Sequence, residues 1–266
     1  MFKPHTMNSK SEVSKPGLSE LPEELLDMIF DKLDVEGLKT ASMVCRRWAE
    51  LAFSGRRMDR VLLNVVDYIQ APFSMNSTFL ESNRNYRHIR YSYNHEDASL
   101  NDLLYLVSLF KSSLQTLIIR PDRMFRVYEL QQILLKLPDL QHMIVASGLR
   151  YVLEKQKSFC VKHKLRSLRF GKMFDLPWDG FDIRTVTPNL DCLQMDCGSQ
   201  QALEVWKHFS GQLTSLGVYV ATYDLFLSFC ALAFPLLKAL DYVVSHRQMF
   251  DSTANDTNCR FLRNLT

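Results

Sequence analysis

Cysteine and histidine side chains are the residues of this chain that could hold a metal ion. Cys192 and Cys197 lie close together in the sequence, and Cys160 and His163 precede them. Structural zinc sites use paired ligands at tighter spacings, and Cys192 falls within an apolar pattern typical of a buried strand. We therefore predict no metal site, and we expect the six cysteines to be reduced residues of the core.

Acid–base, nucleophilic and phosphate chemistry find equally little support. The adjacent acids Glu23 and Glu24 are explained by the first turn of a helix, where carboxylates favour the helix dipole. The sequence has no phosphate-binding loop, no Gly-x-Ser-x-Gly, no His-Glu-x-x-His and no dinucleotide-binding fingerprint. We expect no catalytic residue, no cofactor and no enzymatic activity, with an enzyme as the lowest-ranked alternative.

The apolar residues of the N-terminal region point instead to a docking site. Pro22 suits the first position of a helix, Asp34 is a plausible N-cap for a second helix, and a third helix begins near Cys45. Three helices in fewer than 40 residues are too few to enclose this many large apolar side chains. Part of that apolar surface should therefore be exposed in the isolated chain.

The same region resembles an F-box. Leu-Pro at 21–22, Leu-Asp at 33–34 and Cys-Arg-Arg-Trp at 45–48 match that family in type, order and spacing over about 37 residues. The resemblance implies binding to the Skp-family adaptor of a cullin-based (SCF) ubiquitin ligase. For Trp48, packing against the first repeat is an alternative to direct contact. By position, the implied adaptor-binding residues are Leu21, Pro22, Leu25, Leu26, Ile29, Phe30, Leu33, Val44, Cys45 and Trp48.

The rest of the chain repeats one apolar pattern: an apolar residue, two others, an apolar residue, one other and an apolar residue. Six clear copies begin at steps of 23 to 26 residues, and a last one starts at Leu262. Two looser copies precede them, at Tyr86, Ile89 and Tyr91 and at Met58, Val61 and Leu63. The clear copies are Leu114–Leu117–Ile119, Leu140–Met143–Val145, Leu165–Leu168–Phe170, Leu190–Leu193–Met195, Leu213–Leu216–Val218 and Leu237–Leu240–Tyr242.

Each repeat combines a strand with a helical or irregular return. The last two apolar positions have the period of a strand, and residues with helical spacing lie between several copies. Such units stack on their neighbours to bury their apolar faces. The pattern resembles leucine-rich repeats. The repeats are degenerate, because the asparagine or cysteine that this family has after each strand is absent. The resemblance implies an α/β solenoid, a horseshoe with parallel strands on its concave face; an ordinary α/β domain with evenly spaced strands is the alternative.

These observations predict three segments: a disordered tail at residues 1–17, an F-box at 18–57 and about eight leucine-rich repeats at 58–266, the last incomplete. The chain has 32 basic and 29 acidic residues, a balance that argues against nucleic-acid binding, although the basic pair Arg56-Arg57 and the stretch from 155 to 169 keep that alternative open. The N-terminus is polar and no apolar run spans a bilayer. We expect a protein of the cytoplasm, the nucleus or both, without a membrane partner.

The combined resemblance implies a substrate-recognition subunit that holds the adaptor with the F-box and an unidentified target protein with the repeats. The alternative is a leucine-rich-repeat interaction scaffold that acts outside ubiquitin ligation. Residues between the buried strand positions should point into the concave face. The candidate target-binding residues are Gln141, His142, Arg166, Arg169, Asp191 and Gln194.

Overall fold

The structure is a computed structural model, and it divides into two compact units between Arg60 and Val61. We call them the helical unit and the sheet unit and describe each separately. The predicted tail at 1–17 and the start of a last repeat at Leu262 lie outside the described residues. The structure describes residues 21–67, 84–93, 100–121, 125–147, 149–150, 161–162, 164–171, 183–197, 200–220 and 222–244.

The helical unit contains the three helices predicted from the sequence. They are α1 (Glu23–Phe30), α2 (Val35–Ser42) and α3 (Arg46–Ala52), and a 3-10 helix (Gly55–Arg60) follows them. Pro22 directly precedes α1 rather than occupying its first turn. The predicted N-cap is confirmed, because the Asp34 carboxylate accepts a 2.8 Å hydrogen bond from the Gly37 N–H. Such a cap satisfies a backbone donor that the first turn of α2 would otherwise leave without a partner.

The core of the helical unit is small and draws on all three helices. Partly buried apolar side chains, including Leu21, Leu33 and Trp48, pack around it. The unit therefore depends on few residues, so each buried one carries a large share of its stability. The buried residues are Leu26, Phe30, Leu38, Ala41, Leu51 and Ala52.

The sheet unit is built on eight parallel strands that neighbour one another in chain order. Two short strands, β4 (Phe125–Arg126) and β6 (Leu149–Arg150), pair separately. Because parallel neighbours need a crossover, the chain must return across the sheet between consecutive strands. The strands of the main sheet are β1 (Leu62–Asp67), β2 (His88–Tyr93), β3 (Thr116–Pro121), β5 (His142–Val145), β7 (Ser167–Phe170), β8 (Cys192–Cys197), β9 (Ser215–Val220) and β10 (Ala239–Val244).

The register of the sheet follows the sequence repeat. The second apolar position of each clear copy lies opposite its equivalent on the next strand, as Leu117 does with Met143 and Leu193 with Leu216. These positions are almost completely buried from Ile89 on β2 to Leu216 on β9. A one-residue slip would turn them all to the other face, so their burial fixes the pairing.

The first looser copy needs a correction. Sequence analysis assigned Met58, Val61 and Leu63, but in the sheet Leu63 pairs with Ile89 and Val65 pairs with Tyr91. The strand positions are therefore two residues further along, and Val65 is the buried residue that corresponds to Tyr91. The apolar run from 61 to 66 matches the pattern in more than one register, which explains the misplacement.

A second regularity lies in the backbone where the strands begin. The carbonyl of Gln115 accepts hydrogen bonds from the N–H groups of Gln141 and His142, both at 2.9 Å. The carbonyls of Gln141 and Arg166 each accept two bonds from the next strand in the same way. Within the described residues this junction occurs six times, so every repeat from β2 to β10 enters the sheet alike.

Helices connect several of the strands. They are α4 (Leu100–Leu109), α5 (Val127–Lys136), α6 (Ile183–Val186), α7 (Gln200–Phe209) and α8 (Tyr223–Cys230). The predicted helical stripes are confirmed where they fall on α4, α5 and α7, since Val107, Ile133 and Trp206 are all fully buried. Parallel strands that alternate with such helices form an α/β solenoid-like arrangement. Among the described helices, none has the length and apolar character needed to cross a membrane.

Candidate functional site

Helix α1 carries two neighbouring apolar faces. Leu26 and Phe30, one turn apart, have no exposed surface and face the core. Leu25 and Ile29 are also one turn apart, and they are 46% and 45% exposed. Because each residue advances the helix by about 100°, this second pair lies beside the buried pair and points to solvent. Met28 lies on the same outer side and is 66% exposed.

The turn between α2 and α3 exposes two more apolar side chains. Met43 is 78% exposed and Val44 is 59% exposed. We call Leu25, Met28, Ile29, Met43 and Val44 the exposed apolar set. A unit of this size cannot bury them within itself, and exposed large apolar side chains of this kind are candidates for an interaction site.

The ten predicted adaptor-binding residues fall into three groups. Leu25, Ile29 and Val44 belong to the exposed apolar set, and Pro22 is exposed beside them in the sequence. The half-buried residues are Leu21, Leu33, Cys45 and Trp48.

Leu26 and Phe30 form the third group. They have no exposed surface and belong to the core behind the exposed face of α1. Their contact with an adaptor stays a prediction. Trp48 packs edge-on against Phe30, with ring centres 5.3 Å apart. Its ring therefore helps to fix the position of α1 on α3.

Arg57 fastens the end of the helical unit to its first helix. The guanidinium donates to Asp27 at 2.6 Å, to Asp31 at 3.0 Å and to the carbonyl oxygen of Leu51 at 2.7 Å. Its side chain is only 6% exposed. A buried arginine needs partners of this kind to offset its lost hydration. Because its guanidinium is already paired, Arg57 is disfavoured as a contact for nucleic acid. These contacts also show that Arg57, the last residue of the predicted F-box, packs as part of the helical unit.

The six candidate target-binding residues form two groups, one on the strands and one directly before them. His142, Arg169 and Gln194 lie on β5, β7 and β8, at positions that alternate with buried ones. Arg169 pairs in register with both Ile144 and Gln194. The other three precede the strands, where their backbone groups form the repeated junctions; they are Gln141, Arg166 and Asp191.

Charges converge around His142. Loss of hydration between the strands lowers the pKa of the His142 imidazole from its ordinary value of 6.5. The carboxylate of Asp191 acts in the opposite direction, whereas His88 and Arg169 lower the pKa further. The sheet therefore brings His142, Arg169 and Asp191 within electrostatic reach of one another, together with His88, which sequence analysis did not single out.

Two observations concern the metal site that was considered from the sequence. Cys160 and His163 lie outside the described residues, and no three metal-binding side chains converge among those that the structure does describe. The thiol of Cys192 lies 3.4 Å from a guanidinium nitrogen of Arg169. Cys192 is therefore a buried residue beside a cation.

Comparison with known proteins concerns the N-terminal region. Residues 18–63 match the family model described as F-box-like. The chain carries an F-box-like domain. No curated protein matches the chain. The match includes all described residues of the helical unit, so the exposed apolar set and the Arg57 contacts both belong to the F-box-like domain.

Sequence reasoning missed four residues of the F-box-like domain. Met28 lies three residues after Leu25, a spacing that places both on one side of a helix. Met43 directly precedes Val44, and it is the most exposed of the large apolar residues. Asp27 and Asp31 are four residues apart, so they lie on one side of α1 and its C-cap, a spacing that favours a shared cationic partner such as Arg57.

Proposed function

We propose that this chain is a non-enzymatic substrate-recognition subunit of an SCF-type (cullin-based) ubiquitin ligase. The observation that carries the proposal is the exposed apolar set within an F-box-like domain. F-box domains generally bind Skp-family adaptors. Leu25, Met28 and Ile29 would provide one contact of such an interface, and Met43 and Val44 another.

The sheet unit would hold the target protein. Its registered parallel strands, its repeated backbone junctions and its step of about 25 residues support a degenerate leucine-rich-repeat domain. The target would lie on the face that carries His142, Arg169 and Gln194, because their side chains alternate with the buried residues of the core.

The mechanism of such a subunit is proximity. Binding the adaptor through one unit and the target through the other raises the effective concentration of a target lysine beside ubiquitin carried by another subunit. The chain itself makes and breaks no bond in this mechanism. It would act in the cytoplasm, the nucleus or both, where such ligases and their targets meet.

The test is binding to a purified Skp-family adaptor, measured by calorimetry and by size-exclusion chromatography. We expect a one-to-one complex with the wild-type chain. Ile29→Glu places a charge within the exposed apolar set, and glutamate keeps a high helix propensity. Burying that charge at an interface should weaken binding by about 30-fold or more, which is typical of a central contact residue.

Thr40→Glu is the matched control. Thr40 is exposed on α2, outside the exposed apolar set, so the same charge added there should leave adaptor affinity unchanged. Both variants should keep the wild-type helix content, because neither side chain belongs to the core. A folded wild-type chain that fails to bind the adaptor would refute the ligase proposal and favour a repeat scaffold that acts outside ubiquitin ligation.

A further inference from the structure

The solvent-facing side of the sheet is divided by charge. On β2, β3, β5 and β7 the positions that alternate with buried residues include no acid, and Arg120 at the end of β3 and Arg166 before β7 add exposed positive charge. Among the described strand positions of this side and the residues directly before each strand, the first acid is Asp191, before β8, and Asp241 on β10 is another. Ser167 on β7 is itself buried. The alternating positions on these four strands are His88, Arg90, Ser92, Thr116, Ile118, Arg120, His142, Ile144, Ser167 and Arg169.

One row of this region combines apolar and cationic side chains. Arg90 pairs in register with Ile118, Ile118 with Ile144, and Ile144 with Arg169. Two half-buried isoleucines therefore lie between two arginines. We call these four residues the arginine–isoleucine row.

Arg90 gives an independent indication of a ligand. Its Nε atom is buried, and within the described part of the chain no acceptor lies within hydrogen-bonding distance of it. A buried donor without an acceptor is costly, and a carboxylate accepts strong hydrogen bonds from a guanidinium. A carboxylate arriving at the half-buried Arg90 would give its guanidinium an acceptor, which favours an acidic ligand on this side of the sheet.

We propose that the arginine–isoleucine row binds an extended acidic segment of a partner protein that crosses the strands. A carboxylate would pair with Arg90 and another with Arg169, while an apolar side chain between them packs on Ile118 and Ile144. Three strand spacings separate the arginines by about 14 Å, which equals about four residues of extended chain. The segment would therefore carry acids four residues apart with an apolar residue midway. The identification of this partner as a ligase target rests on the proposed function, but the binding itself does not.

The probe is a fluorescein-labelled peptide, Ser-Glu-Ala-Leu-Ala-Glu-Ser, titrated with the full chain by fluorescence anisotropy in the absence of any adaptor. We expect saturable binding that weakens as salt is raised to about 0.5 M, because exposed charge pairs are screened. An isomer with the two glutamates adjacent should bind about fivefold more weakly, since one carboxylate then lacks its arginine.

Arg169→Gln and Arg90→Gln should each weaken binding by about tenfold, because each removes one charge-assisted contact. Lys238→Gln is the matched control. It removes one positive charge just before β10, outside the arginine–isoleucine row, and should leave binding unchanged. Arg169 is exposed, so its variant should keep the wild-type melting temperature and can decide the question even if Arg90→Gln fails to fold.

Three results would overturn the proposal. They are a wild-type chain that does not bind the peptide, equal binding of the two isomers, and an Arg169→Gln variant that binds like the wild type. Displacement of the peptide by a single-stranded RNA oligonucleotide that binds more tightly would reassign the row to nucleic acid. Since no adaptor is present, failure here leaves the adaptor test of the proposed function unaffected.

Discussion

The candidate binding surfaces of the helical unit and the sheet unit differ in chemistry. In the helical unit large apolar side chains such as Met28 and Met43 are exposed, while the cation Arg57 is buried and paired. In the sheet unit the repeated apolar residues are buried from Ile89 to Leu216, and the cations Arg166 and Arg169 are exposed. The candidate surface of the helical unit is therefore apolar, whereas that of the sheet unit is rich in cations.

The proposed adaptor and target contacts would therefore use two modes of binding. Contact through exposed apolar side chains depends on area removed from water and responds little to salt. Contact through exposed arginines depends on charge and weakens with salt. A subunit that must stay on its ligase while exchanging targets would benefit from that division, because changes on one surface need not affect the other.

The largest expected effect comes from emptying the small core of the helical unit. Phe30→Ala removes a fully buried ring that packs on Trp48, and we expect the free energy of unfolding of that unit to fall by about 3–5 kcal/mol. Hydrogen exchange should therefore accelerate across α1, α2 and α3. Amides of β3 and β8 should keep their protection, because the sheet has a core of its own.

Met28→Ala is the control for that change. Met28 is on the same helix but 66% exposed, so its loss should alter stability by no more than about 0.5 kcal/mol while weakening adaptor binding. If Phe30→Ala loosened β3 and β8 as much as α1, the two units would form one cooperative structure. The helical unit and the sheet unit would then not unfold independently.

A smaller effect is expected from removing the buried cation. Arg57→Ala leaves Asp27 and Asp31 without their shared partner and frees the carbonyl oxygen of Leu51. Losing one member of a fully buried ion pair costs about 3–5 kcal/mol. Since Asp27 is nearly half exposed and can regain water, we expect a loss of about 2 kcal/mol in the helical unit, measured by urea unfolding.

Arg56→Ala tests whether the loss of stability expected for Arg57→Ala is caused by the burial of Arg57. Arg56 also pairs with Asp31, but its side chain is 80% exposed. An exposed pair contributes little, so the expected change is about 0.5 kcal/mol or less. Equal losses from the two variants would mean that charge alone, rather than its burial, holds this part of the unit together.

Much of this architecture could be predicted from the sequence, because it follows from periodicity. The period-two positions are buried in the clear copies from Leu117 to Val218, and Asp34 caps α2 as its residue type predicts. In the last clear copy the expectation was wrong, because Leu240 is half-buried and Tyr242 is 45% exposed. The prediction was wrong where an apolar run matched more than one register, as at Leu63 and Val65. Periodicity alone does not decide between two registers that both place an apolar residue at the required position.

The candidate site was harder to predict than the fold. The sequence does not distinguish exposed from buried leucines on a helix with a broad apolar face. Leu26 was therefore grouped with Leu25, although only Leu25 is exposed. Which side of α1 is buried depends on how α3 packs, a tertiary effect that a helical pattern does not contain. Arg57 was likewise overlooked because its partners, Asp27 and Asp31, lie about thirty residues away and meet it only in the folded unit.

The smallest expected effect concerns the charged surface of the sheet unit. Loss of hydration lowers the pKa of His142, so NMR titration of its imidazole should give a midpoint below 6.5. Asp191→Asn should move the midpoint further down, because the carboxylate raises the pKa of His142. Arg169→Gln should move it up, because the guanidinium lowers that pKa, and His88→Gln should act in the same direction.

The same titration has a consequence for stability. A histidine with a lowered folded-state pKa binds fewer protons in the folded chain than in the unfolded chain, so stability falls as the pH drops below 6.5 toward the folded value. His142→Gln should remove that small acid-dependent loss and leave stability above pH 7 unchanged. If the His142 midpoint were at or above 6.5 and did not change in the Asp191→Asn and Arg169→Gln variants, these charges would not act on His142. The sheet face would then lack the electrostatic character that distinguishes it from the helical unit.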